Sequence, residues 1–134
     1  MFKTLLAATA IVALPAAAAW AQDAGDPEAG ERVFRKCQAC HQVGEDAQNR
    51  VGPVLNDVFG RAAGGLEGFN YSDAMVAKGE EGLVWDAESM AAFLKNPREY
   101  VPGTKMSFAG LRKDQEVADV TAYLQQYSGG GEGS

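Results

Sequence analysis

The sequence predicts an all-α domain of four to five short helices joined by long loops, on three observations. Helix-start signals stand at Asp26-Pro27-Glu28 and at Asp86. Val117, Val120, Leu124 and Tyr127 are spaced three and four apart, which places them on one helical face. No segment of useful length alternates apolar and polar residues as a half-buried strand would.

The N-terminus reads as an export signal. Lys3 supplies a positive charge, Leu5 to Ala19 form an apolar run, and Ala19-Trp20-Ala21 is a small-x-small cleavage site. Cleavage there removes residues 1–21, and the mature chain begins at Gln22 in the periplasm. Pro15 interrupts the run, which is short for a membrane span. An uncut anchor is the competing reading. Residues 22–127 then form one domain, and the Gly-rich residues 128–134 are expected to be a flexible tail.

In the first helix Asp26 can cap, Pro27 suits the first turn, and Glu28 favours the positive end of the helix dipole. It runs through Gly30, Val33 and Phe34 toward Cys37. Residues 42–70 hold glycines at 44, 52, 60, 64, 65 and 68 and Pro53, without a sustained period. They read as loop and turn, with a short helical piece expected near Asn56–Phe59. So long an irregular stretch needs an organiser. Ser72 to Lys78 reads as a short helix stopped by Gly79. Asp86 caps a helix over 87–95 with Met90, Phe93 and Leu94 on one side, and Asn96-Pro97 ends it. A turn at 98–101 and a loop from Pro102 to Gly110 lead to the last helix, from Asp114 to about Tyr127.

The chain carries 12 Lys and Arg against 18 Asp and Glu, a net charge of −6 that loss of Lys3 makes more acidic. Nucleic acid is therefore excluded as the main partner. Two cysteines in an exported chain ordinarily suggest a disulfide. Here they are Cys37 and Cys40, and His41 follows at once.

Cys37-Gln38-Ala39-Cys40-His41 is a C-x-x-C-H sequence, the attachment signal for c-type haem. Cysteines three apart on one turn face the same way and can form two thioethers along one porphyrin edge. His41 then brings a ring nitrogen to the iron. A thioredoxin-type disulfide would want a βαβ context, and a zinc site would want about four ligands. Neither is present in the sequence. Haem is also a fit organiser for residues 42–70.

His41 is the only histidine, which excludes bis-histidine ligation within one chain. A methionine thioether is the natural sixth ligand of a high-potential carrier. Met75 and Met90 lie in expected helices, where core packing explains them. Met106 lies in the loop after Pro102, and chemistry favours it while leaving the other two open.

These residues resemble those of the class I cytochromes c, close to the short bacterial cytochromes c2 and mitochondrial cytochrome c, over about residues 26–127. Gly30 and Phe34 match the family's first helix, and Cys37, Cys40 and His41 its haem signature. Gly52-Pro53 matches the segment whose proline carbonyl hydrogen-bonds the axial histidine. Arg61, Tyr71 and Trp85 match residues placed around the haem propionates. Asn96-Pro97 and Pro102-Gly103-Thr104-Lys105-Met106 match the run that carries the axial methionine. Val120 and Tyr123 match a last helix that crosses the first near Gly30. The resemblance implies a small cytochrome c fold around one covalent haem c, with Met106 as the sixth ligand. Two positions depart from the pattern: Phe93 stands where the family usually has tyrosine, and an asparagine common near Met75 is missing.

The function so implied is outer-sphere electron transfer by a non-enzymatic, monomeric carrier. The donor is a bc1-type complex, and the acceptor a photosynthetic reaction centre or a terminal oxidase. A haem enzyme or gas sensor with an open sixth position is the alternative, and a haem-free C-x-x-C redox protein is the third reading. Arg35, Lys36, Lys105, Arg112 and Lys113 adjoin the haem motifs in sequence, whereas Glu45-Asp46, Glu80-Glu81 and Asp86-Glu88 lie elsewhere. A basic docking rim around the haem edge is expected.

Overall fold

The first helix, α1 (Pro27–Phe34), begins as the sequence predicts: the Asp26 carboxylate accepts the Glu28 N–H at 2.9 Å. The computed structural model describes residues 10–12 and 25–128. The expected signal peptide and the tail beyond Ser128 thus lie almost wholly outside the described residues. Among those residues are four further helices: α2 (Asp73–Glu80), α3 (Ala87–Lys95), α4 (Pro97–Tyr100) and α5 (Asp114–Gln125). Among the described residues no strand forms, and a single isolated antiparallel bridge joins Ala62 to Val84. No described helix is long and apolar enough to cross a membrane.

α1 packs against α5 through its small residue. Gly30 is buried against the Asp119 backbone and Tyr123, and the rings of Phe34 and Tyr123 meet at a tilt with centroids 5.3 Å apart. Val117, Val120 and Leu124 are buried along the inner face of α5, as their spacing requires. The buried Asp119 carboxylate accepts from the Asp26 backbone N–H and from the Gln115 amide, both at 2.8 Å. This ties the start of the domain to the last helix and leaves a buried charge with partners.

α1 runs through Phe34 toward Cys37 as expected, and beyond Phe34 the chain makes tight turns, with Cys37 N–H donating to Phe34 O at 2.7 Å. His41 N–H closes the next turn on Cys37 O at 2.9 Å. No helix forms at 56–59, because Asp57 adopts φ 58° and the chain turns there instead. Gly79 does not stop α2. It lies inside the helix, where it meets the Ala63 carbonyl at a distance no side chain would allow. The stop is Gly82, at φ 102°, where Gly82 and Leu83 N–H donate to Gly79 and Lys78 carbonyls at 3.0 Å. That double bond pattern is a Schellman ending.

α3 has the capping box of Asp86 and Ser89, and the Asn96 side chain then caps α4 through the Glu99 N–H at 3.2 Å. The expected turn at 98–101 is thus mostly helical. Phe34, Val101, Leu111 and Val120 are the deepest apolar side chains. They form part of a core that surrounds a cavity.

Candidate cofactor site

The cavity has a volume of about 450 Å³. That lies within the range of roughly 300–1,000 Å³ typical of sites that enclose a cofactor. Its wall is mostly apolar, with Phe34, Leu55, Trp85, Leu94, Phe108 and Val120 among its residues. Cys37, Cys40 and His41 all line it, and so do the predicted residues Pro53, Arg61, Tyr71, Trp85, Thr104 and Met106. Residues as far apart in sequence as Phe34 and Val120 therefore meet around one space.

His41 is held from behind. Its Nδ1 lies 2.8 Å from the Pro53 carbonyl oxygen. A carbonyl only accepts, so Nδ1 carries the proton and Nε2 keeps its lone pair. Burial lowers the pKa of the imidazole, against a smaller rise from the Pro53 bond. A neutral ring with one free nitrogen is what a metal ligand needs. Gly52 makes this geometry possible: a Cβ there would stand 2.7 Å from His41 Nδ1. The loop backbone lies directly on the ring.

Cys37 and Cys40 are free thiols. Burial pushes Cys37 up to about 11, with Lys36 lowering it and Cys40 raising it further. A thiol-exchange enzyme needs the opposite, a lowered thiol pKa. The two sulfurs suit attachment to a group in the cavity better than disulfide chemistry in solution. Among the described residues no group of three or more His, Cys, Asp or Glu could hold a metal ion on protein side chains alone.

Arg61 donates from Nη1 to Val54 O at 3.1 Å and from Nη2 to Asn56 O at 2.6 Å. Trp85 is buried and its ring contacts Phe93 at 5.1 Å. Backbone bonds join them, since Trp85 N–H donates to Arg61 O at 2.9 Å and Gly60 N–H to Trp85 O at 2.7 Å. The Tyr71 hydroxyl accepts the Leu66 N–H at 3.3 Å, and the Thr104 hydroxyl accepts the Met106 N–H at 3.3 Å. Phe93 is buried between Trp85 and Tyr100, an apolar filler at the cavity wall.

Three methionines line the cavity, Met75 and Met90 as well as Met106. The basic residues divide. Lys36 and Lys105 line the cavity, whereas Arg35, Arg112 and Lys113 are exposed and do not. Lys36 pairs with Glu116 at 3.3 Å, and Lys105 Nζ donates to Asn70 O at 3.4 Å. Sequence reasoning missed Asn56, whose side chain clasps Gly44, accepting its N–H at 2.9 Å and donating to its carbonyl at 2.7 Å. It also missed Val51, a cavity-lining apolar residue that is 78% exposed.

Comparison with known proteins places the chain in a family. The Cytochrome c family model matches residues 27–128. Cytochrome c2 of Afifella marina is 57% identical over 99 residues, covering 74% of this chain and 80% of that protein. Cytochrome c-554 of Methylosinus trichosporium is 48% identical over 128 residues, 96% of this chain and 95% of that one. The solved structure of cytochrome c2 from Rhodospirillum centenum superposes with a TM-score of 0.75 at 46% identity, covering 78% of this chain and 99% of that chain. The chain belongs to the cytochrome c family, as a class I c-type cytochrome with the cytochrome c fold. Within that family it resembles the bacterial cytochromes c2. The family's cofactor is covalent haem c. A largely apolar cavity, two thiols at its wall and a neutral histidine held at Nδ1 fit that group.

Proposed function

We propose that this chain is a periplasmic one-electron carrier that binds one haem c through Cys37 and Cys40, with His41 and Met106 as its two iron ligands. The observation that carries the reading is His41, fixed by Pro53 at 2.8 Å in an apolar cavity that Met106 also lines. Haem, once attached, supplies a reversible ferric–ferrous couple. The protein residues do the rest. Pro53 holds the imidazole orientation, so the ligand geometry stays fixed between oxidation states. Thr104 fixes the backbone at Met106. Arg61, Tyr71 and Trp85 supply charge and donors for the haem propionates, which need both when buried. Phe93 and Met75 leave the wall near the methionine side apolar.

A filled sixth position leaves no place for substrate, which separates this reading from a haem enzyme or gas sensor. We place the carrier, a monomer, between a bc1-type complex and a reaction centre or terminal oxidase. Lys36 and Lys105 at the cavity wall, with Arg35, Arg112 and Lys113 adding long-range charge, form its docking rim. Contacts of this kind are small and short-lived, so charge acts mainly on association rate. The test is attachment: the protein matured with haem should keep its haem bands after denaturation and gel electrophoresis. The Cys37→Ala, Cys40→Ala double variant should lose them and its cooperative unfolding. Retention of haem by that variant would refute the assignment.

A further inference from the structure

The peptide unit between Asn56 and Asp57 has both its groups committed, one within its own loop and one to the end of the domain. Its carbonyl accepts the Arg61 Nη2–H at 2.6 Å, and its N–H donates to the Tyr127 carbonyl beyond α5 at 2.9 Å. The backbone on its far side is held in the left-handed region, with Asp57 at φ 58°. A non-glycine residue keeps that conformation only where its surroundings impose it. The Asn56 side chain is one such constraint, since its amide makes the two-point clasp on Gly44. Gly44 lies three residues after His41, so the clasp joins the chain leaving the C-x-x-C-H motif to the peptide that aims Arg61.

We propose that Asn56 is a positioning residue that sets the redox potential by holding the Arg61 guanidinium at the cavity wall. The inference rests on the haem reading of the cavity given above. A fixed cation beside the cavity favours the reduced iron, which carries one positive charge fewer, and so raises the potential. Arg61 spans from Val54 O to Asn56 O, and the residue that carries the second acceptor is also tied to Gly44 by its side chain. Loss of the clasp leaves the 56–57 peptide held by the Tyr127 carbonyl alone, and the long Arg61 side chain spends more time toward water, where its charge is screened.

The test uses the haem-bearing protein with Asn56→Ala, Arg61→Met and the double variant. Asn56→Ala should keep the wild-type circular dichroism. Its Gly44 amide should exchange about tenfold faster, as loss of one hydrogen bond implies. Its midpoint potential should fall in the same direction as that of Arg61→Met and by less. In the double variant, Asn56→Ala should add no further fall. Asn56→Ser carries the same expectation should the alanine variant not fold. A potential lowered by Arg61→Met but unchanged by Asn56→Ala overturns this inference alone, as does an undiminished effect in the double variant. A potential that Arg61→Met leaves unchanged overturns both the inference and the role of Arg61 beneath it.

Discussion

Replacing Gly30 by alanine tests how the two terminal helices create the cavity wall. On helix propensity alone the change should stabilise α1, by about 0.5–1 kcal/mol. The structure predicts the reverse. A Cβ on Gly30 would stand 2.6 Å from the Asp119 carbonyl carbon and 2.7 Å from Tyr123 Cβ, and closer still to the Asp119 carbonyl oxygen. Two of these atoms are backbone of α5 and cannot swing aside. Overpacking of this kind costs about 1–3 kcal/mol, and a rigid neighbour puts the cost at the upper end. The Asp26 N–H to Asp119 Oδ1 bond also lies at this contact and would lengthen. The net loss is about 2 kcal/mol once propensity is subtracted. For a domain of about 100 residues that lowers Tm by roughly 8–16 °C. Guanidinium and thermal unfolding of the haem-bearing variant at neutral pH measure it. An unchanged or raised Tm would mean that the α1–α5 crossing does not depend on a glycine, and the packing account would fail.

Other perturbations read separate parts of the account. Met106→Ala should leave haem attached and let the ferrous protein bind carbon monoxide, while Met75→Ala should not; the reverse result, read by absorption, would move the sixth ligand to Met75. The Asp86 carboxyl is held below its usual 3.8, chiefly by the Ser89 backbone N–H and then by the Ser89 side chain. A pKa lowered on folding stabilises the fold above the unfolded value and is lost as pH falls through the folded one. Asp86→Ser should therefore flatten acid unfolding below pH 3.8, and an acid limb identical to wild type would refute this. Lys105→Glu should slow bimolecular reaction with a membrane partner at low salt and less so at about 0.15 M, where screening acts beyond roughly 8 Å. Glu45→Lys should change it little, and equal effects from the two would remove Lys105 from the docking face.

The parts of the fold legible in the sequence were those written in local code. Asp26-Pro27 and Asp86 start helices through contacts within three residues. The stripe on α5 follows from period alone. Gly79 misled because a glycine can serve either a turn or a close approach, and only the tertiary neighbour Ala63 decides which. The Cys37–His41 motif was legible because its chemistry fits in five consecutive residues. The Asn56 clasp on Gly44 was not, since a pairing twelve residues apart between an amide and a backbone has no pattern of its own. The surroundings of the expected basic residues were only half legible. Charge adjacency in sequence does not reveal that Lys36 faces Glu116, or that Arg112 and Lys113 lie off the cavity wall.

The central claim is a haem iron closed on both sides by protein ligands. Absorption spectra of the purified protein, oxidised, then reduced, then exposed to carbon monoxide, test it most directly. The account predicts haem bands that shift reversibly on reduction, a weak band near the red edge of the oxidised spectrum from the iron–methionine bond, and a ferrous spectrum that carbon monoxide leaves unchanged. Prompt carbon monoxide binding by the unaltered protein would contradict the closed site, and a spectrum without haem bands would contradict the carrier itself.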